Sequence, residues 1–308
     1  MDLKQLIQTS AGQLDQAKLA FGHGTLTAQD EAAWLVLWQL KLPLDLDLSE
    51  DTASIQAQVS AVQPNLDINN ISNVLIEACQ ALVAQRIQTR KPAAYLTQEA
   101  WLQGIPFYVD ERSIVPRSFI AELIADGAFD GWLSETSHAF LDLCTGNGSL
   151  AILCAMAYPE IQVTGADISK DALAVAQINV GKHQLTDRIQ LVQSDGLNEL
   201  KQQFDCIICN PPYVCEASMQ ALPDEYKAEP LLALAGGTDG MDFIRQLFID
   251  LPARMNDKAI LVLEIGNERA HFEAAFPRLE AIWLDTSAGE DQVLLVTKEA
   301  LAQTLSKV

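Results

Sequence analysis

From about residue 120 to the end of the chain, short apolar runs alternate with segments of helical period, and this alternation narrows the possible architectures most. The runs fall at 139–143, 161–166, 189–193, 204–209 and 259–265, with helical stretches near 148–157, 169–182 and 240–255. Strands separated by helices imply crossover connections, hence a mostly parallel sheet with helices on both faces. The ending differs: 281–284 and 292–296 are strand-like, but 285–291 between them carries little helical signal, which predicts a closing antiparallel pair.

The first part of the chain reads as helical. Thr27-x-x-Asp30 resembles a capping box ahead of the apolar stretch 32–38. Ile68, Ile71, Val74, Leu75, Ala78, Leu82 and Val83 then recur at helical spacing up to about Arg86. Trp34 and Trp38 lie one turn apart, as core packing or an apolar groove would require. Arg90-Lys91-Pro92 marks a break. Residues 99–102 and 106–109 flank Gly104 as a hairpin would, and Ser118 suits the N-cap of a helix starting near Phe119. The expected organisation is a helical domain over 1–90, a linker with a β-hairpin over 91–118, and an α/β domain over 119–308.

With 308 residues, 49% hydrophobic and 20% charged, the chain can bury a sizeable core. No apolar run has the length of a membrane span, and Met1-Asp2-Leu3-Lys4-Gln5 does not begin a secretory signal, so the expected location is cytoplasmic. The net charge of −21 works against nucleic-acid binding, which needs a basic footprint, and suits a basic protein partner. Cys206-x-x-Cys209 followed by Cys215 invites a zinc assignment. Residues three apart on a strand face opposite sides, however, so the pair cannot chelate one ion. The six cysteines are expected to be reduced thiols, and no metal site is expected.

Two strand ends carry the chemistry. The run 204–209 stops abruptly at Asn210-Pro211-Pro212-Tyr213, because consecutive prolines continue neither a ladder nor a helix. An Asn carbonyl beside a proline-locked backbone carbonyl suits a planar NH2 group with two N–H donors, as found in glutamine amides and adenine amines. The run 139–143 ends in Cys144-Thr145-Gly146-Asn147-Gly148, a glycine-rich turn into a helix, and Asp167 ends the next run where it can take both ribose hydroxyls. Gly146-x-Gly148-x-x-Ala151 also meets the loose dinucleotide fingerprint, so the glycines alone leave NAD open. Asp142 favours S-adenosylmethionine, since a carboxylate suits an ammonium and a sulfonium and repels a pyrophosphate. It could equally tie down the turn. Asp195, in Ser194-Asp195-Gly196, could meet the adenine edge or simply close a strand.

On Asp142-Leu143-Cys144-Thr145-Gly146-Asn147-Gly148, Asp167 and Asn210-Pro211-Pro212-Tyr213, the chain resembles the protein-(glutamine-N5) methyltransferases over nearly its whole length. It looks most like the branch that methylates the third protein of the large ribosomal subunit. The run 115–124 and Leu222-Pro223-Asp224-Glu225-Tyr226-Lys227-Ala228-Glu229-Pro230 fit that branch, as does Cys144, where the release-factor branch has glycine. Asn147, where Ser or Thr is commoner, and Gln98, where glycine is expected, depart from it. The resemblance implies a seven-stranded Rossmann-like methyltransferase domain behind a small N-terminal helical substrate-recognition domain and a linking hairpin. It assigns 144–148, Asp167 and Asp195 to S-adenosylmethionine, and Asn210, Pro211, Pro212 and Tyr213 to the substrate clamp, with Asn210 expected to border the cofactor as well.

The expected reaction needs no base. Asn210 Oδ1 and the Pro211 carbonyl would each accept one amide N–H, aiming the nitrogen lone pair at the methyl group. Tyr213 would pack against the amide or serve as a core aromatic. The sulfonium is already activated, so no metal is required. Competing classes are methylation of release factors, adenine-N6 methylation of nucleic acid, and a non-catalytic cofactor-binding assembly factor. Finally, Glu216, Asp224, Glu225 and Glu229, set against Lys227 alone, suggest an acidic rim that would attract a basic ribosomal protein.

Overall fold

In the computed structural model, which describes residues 1–305, helix α1 (Leu3–Gln16) starts at a capping box absent from the expectations above. Asp2 accepts the Gln5 N–H at 2.8 Å, and the Gln5 side chain accepts the Asp2 N–H at 3.2 Å. Helix α2 (Ala28–Gln39) follows, with Thr27 accepting the Asp30 N–H. The Asp30 carboxylate accepts the Thr27 hydroxyl and does not reach back to the backbone, so this box is half formed. Helices α3 (Thr52–Val62), α4 (Asn73–Thr89) and α5 (Ala93–Thr97) complete the set. Leu6, Ile7 and Leu14 of α1 bury against Ala32, Leu35 and Val36 of α2, with Val83 of α4 in the same core. Trp38 packs against that core. The apolar pattern from Ile68 begins before its helix: Ile68 and Ile71 are buried in the preceding loop, and Val74 is 75% exposed.

These helices form one compact unit, Met1–Glu99, which also includes the distant segment Pro223–Ala228. Within it, Arg86 is fully buried and pairs with Glu31 at 2.8 Å. Glu225, also fully buried, lies 2.8 Å from Arg90 and 3.7 Å from Arg86. Packing of Ala93 and Leu96 into the helical core explains why the unit runs past the Pro92 break.

The second unit, Ala100–Leu222 with Glu229–Val308, opens with the hairpin β1 (Ala100–Leu102) and β2 (Ile105–Phe107). Helix α6 (Ile120–Ala125) precedes the alternation β3 (Ala139–Leu143), α7 (Ser149–Ala157), β4 (Gln162–Asp167), α8 (Lys170–Lys182), β5 (Ile189–Gln193) and β6 (Phe204–Cys209). Then come α9 (Glu216–Ala221), α10 (Asp242–Asp250), β7 (Met255–Glu264), α11 (Arg269–Ala275), β8 (Ile282–Thr286), β9 (Gly289–Thr297) and α12 (Lys298–Leu305). The seven strands run β5-β4-β3-β6-β7-β9-β8. β3 to β7 are parallel, and β9 is antiparallel to both β7 and β8, the closing pair expected from the sequence.

Both faces are buried. Cys206 and Ile208 enter one core with Val262, while Ile207 and Cys209 enter the other with Leu263. The two cysteines therefore do face opposite sides, and all six cysteines are free thiols. The chain leaves β3 toward β4 on one side and returns at β6 on the other. The carboxyl ends of β3 and β6 thus flank the reversal point where ligands of open α/β sheets bind.

Candidate active site

At the end of β3, Cys144, Gly146 and Gly148 all take positive φ, so the chain turns sharply before α7. Asp142 braces the turn from below. It is buried, and its Oδ2 accepts the Thr145 hydroxyl at 2.5 Å and the Ala151 N–H at 2.9 Å. Burial pushes its carboxyl up to about 7. Thr145 and Asn147 are buried with it. Asn147 accepts the Ser149 N–H through its side chain, and its backbone carbonyl accepts Asn179 Nδ2. Asn179, which the sequence did not single out, also exchanges two hydrogen bonds with the Tyr108 backbone just past β2.

The cleft above this turn encloses about 240 Å³ and is walled by Cys144, Gly146, Asp167, Asp195, Asn210 and Pro212, among others. Of the residues expected to touch a cofactor, Asp142, Thr145, Asn147 and Gly148 lie outside the lining and hold its shape. Asp167, half-buried at the end of β4, accepts the Gly146 N–H at 2.9 Å and the Ser169 N–H at 2.8 Å. Burial raises its pKa. Asp195 is exposed just past β5, the strand next to β4, where the Ser194 N–H donates to the Asp167 carbonyl at 2.9 Å. Ile168, Ala172, Leu232 and Phe243 supply apolar walls.

This donor set decides between the two cofactors. A pyrophosphate needs free N–H groups at the glycine turn. Here the Gly146 N–H goes to Asp167 and the Gly148 N–H to the Thr145 carbonyl. Arg112, a cation in the lining, forks onto Asp110 at 2.6–3.1 Å. Two carboxylates on neighbouring strand ends beside an apolar cleft instead fit a ribose diol, an adenine edge and a positively charged tail. The residues present therefore fit S-adenosylmethionine.

Across the cleft, Asn210 leaves β6 half-buried, and Pro211 is buried behind it. The following backbone is fixed by ladder-like bonds: the Val214 N–H donates to Leu234 and the Gly236 N–H to Val214, both at 2.9 Å. Three distant glycines back this segment. A methyl at Gly236 would lie 2.8 Å from the Pro212 carbonyl, and one at Gly240 would collide with the Tyr213 carbonyl. One at Gly266 would lie 2.5 Å from the Tyr213 ring. The Tyr213 hydroxyl donates to Glu264 at 3.4 Å. Neither Glu264 nor the glycines featured in the sequence reading, although Gly236-Gly237-Thr238-Asp239-Gly240 and Glu264-Ile265-Gly266 stand out as close-approach signals.

The acidic rim needs correction. Glu225 is fully buried against Arg86 and Arg90. Glu229, also buried, takes a two-pronged Arg117 at 2.5 and 2.7 Å together with the Val115 N–H at 3.0 Å. A carboxylate removed from water and paired with arginine holds structure and exerts little field outside. Asp224 pairs with Lys227 but stays exposed with it, so Asp224 and Glu216 are the two of the four that face solvent.

Residues 131–223, from just before β3 through α9, match the family model described as "Methyltransferase small domain". Curated relatives match almost end to end. The ribosomal protein uL3 glutamine methyltransferase of Bordetella pertussis is 47% identical, covering 97% of this chain and 96% of its own. The proteins of the same name from Burkholderia pseudomallei and Neisseria gonorrhoeae are 46% and 42% identical, covering 96% and 97% of this chain and 94% and 95% of theirs. The chain is thus an S-adenosylmethionine-dependent methyltransferase, and it belongs to the family of ribosomal protein uL3 glutamine methyltransferases.

Proposed function

We infer that this chain transfers the methyl group of S-adenosylmethionine to the side-chain amide nitrogen of a glutamine in ribosomal protein uL3. The observation that carries this is the rigidly backed Asn210–Tyr213 turn, whose Asn210 and Pro212 line the same cleft as Asp167 and Asp195 while Pro211 and Tyr213 lie outside the lining. The near-full-length identity to relatives of that name supports the substrate.

When bound, the cofactor supplies a methyl group already activated on a sulfonium. Asp167 takes the ribose hydroxyls and Asp195 flanks the adenine. Asn210 Oδ1 and the Pro211 carbonyl each accept one N–H of the glutamine amide. That holds the nitrogen in one orientation and excludes the rotations that would waste encounters. As the nitrogen gains positive charge, the same acceptors bind it more strongly than in the ground state. The N–C bond forms as the S–C bond breaks with its electron pair left on sulfur, and the extra N–H proton then leaves to water. The helical unit is the candidate substrate-recognition element.

Attraction for a basic partner comes from the overall charge of −21 rather than from a dedicated rim. Among the described residues no helix is long and apolar enough to cross a membrane. The test offers free uL3, mature large subunits, release factors and adenine-containing oligonucleotides at equal concentration with labelled cofactor, then maps the methyl group by mass spectrometry. The expected label is on a uL3 glutamine, and its rate falls with added salt as charge is screened. Label on adenine, or mainly on a release factor, would overturn the assignment.

A further inference from the structure

We propose that Glu264 is a positioning residue for methyl transfer, holding Tyr213 so that the backbone acceptors of the clamp stay fixed. This rests on the reading above that the clamp grips the substrate amide. Glu264 ends β7 and is 2% exposed, so its carboxyl group must find partners inside the protein. Oε2 takes the Ser118 hydroxyl at 2.5 Å and the Phe119 N–H at 2.9 Å, bracing the start of α6. Bracing α6 occupies one oxygen. The other, Oε1, faces the Tyr213 hydroxyl.

Two residues on, Gly266 leaves room for the ring of that same tyrosine. Strand end and glycine together make a seat that grips Tyr213 at its hydroxyl and along its ring edge. The restraint reaches the clamp because Pro211 and Pro212 lock two successive φ angles. Little freedom remains between a fixed Tyr213 and the Pro211 carbonyl.

Arg117, held by Glu229, and Tyr213 itself are the charged and titratable groups that bear on Glu264. Burial outweighs Arg117 and pushes Glu264 up to about 7, while Tyr213 is pushed above its usual range and stays a phenol. Below that point a neutral Glu264 can donate to the tyrosine oxygen. Above it, the carboxylate accepts from the hydroxyl. Glutamine mimics only the neutral form.

The test compares Tyr213→Phe, Glu264→Ala, Glu264→Gln and the Tyr213→Phe/Glu264→Ala double variant. Turnover on uL3, cofactor Kd by calorimetry and thermal stability are measured for each. Expected are a tenfold or larger fall in kcat for the Phe and Ala variants, cofactor Kd within twofold, and a double variant no slower than the worse single. Glu264→Gln should recover turnover to within about threefold at pH 6. A second readout needs no substrate: the tyrosine 13Cζ resonance lost in Tyr213→Phe should move with a midpoint near pH 7, and be flat in Glu264→Gln. If Glu264→Ala does not fold, Tyr213→Phe and that resonance decide. Normal turnover in Tyr213→Phe or Glu264→Ala, additive losses in the double variant, or a resonance indifferent to Glu264 would overturn the proposal. A wild-type protein that leaves uL3 unlabelled while the resonance tracks Glu264 would sink the substrate assignment and leave the seat intact.

Discussion

Gly266→Ala should slow the enzyme without touching a cleft residue. Two penalties act at that position. The backbone holds φ at +53°, where an alanine Cβ crowds the following carbonyl, at a cost of about 1–2 kcal/mol. The new methyl would lie 2.5 Å from Cε2 of Tyr213, 3.0 Å from Cζ and 3.2 Å from the hydroxyl oxygen. Ordinary contact begins at 3.4 Å, so the ring must retreat by about 0.9 Å or absorb the overlap. Absorbing it adds about 1–3 kcal/mol of overpacking. Retreating moves the clamp, and a displacement near 1 Å costs on the order of 100-fold in rate. The variant should lose about 2–5 kcal/mol of stability, or about 1–2 kcal/mol with a large fall in kcat. Urea unfolding by tryptophan fluorescence and turnover on uL3 separate the two cases, and cofactor Kd stays near normal in both. Gly104→Ala is the control, since its φ is +70° and no heavy atom lies within 4 Å of the added methyl. It should show the backbone penalty alone and normal turnover. A Gly266→Ala protein with wild-type stability and wild-type kcat would refute the claim that this glycine seats the tyrosine.

The remaining predictions separate cofactor, substrate and scaffold. Asn210→Ala should cut kcat on the order of 100-fold with cofactor Kd barely changed, whereas Asp167→Ala should weaken cofactor binding about tenfold or more by calorimetry. Loss of cofactor affinity in the first, or none in the second, would reverse these roles. Glu225→Ala should lower stability by about 3 kcal/mol, since it strips a partner from buried Arg86 and from Arg90. If it raises KM for uL3 in a salt-dependent way and leaves the urea midpoint unchanged, Glu225 faces the substrate after all.

What the sequence showed plainly was whatever short-range pattern encodes. The five parallel strands came from apolar runs, the closing antiparallel pair from a connection without helical period, and the opposed cysteines from the twofold alternation of β6. One departure also has a local cause. Gln98 sits at φ of +53°, and Cys144, where the release-factor branch has glycine, at +62°, the region glycine occupies most easily, which explains why glycine is natural at both positions. Contacts made at long range were illegible. Ser118 meets Glu264 across 146 residues, and Tyr108 meets Asn179 across 71. The segment 222–230 misled for the same reason. Its glutamates read as part of an acidic rim open to a basic protein because their partners, Arg86, Arg90 and Arg117, lie more than a hundred residues upstream. The misreading bears on mechanism. A clamp made of a side-chain carbonyl and a backbone carbonyl has no pKa to tune, so its catalytic power depends on where those atoms are held. The sensitive positions should therefore be the ones behind the clamp, at Gly236, Gly240, Glu264 and Gly266, while the apolar walls Ile168 and Leu232 should tolerate volume-conserving exchange.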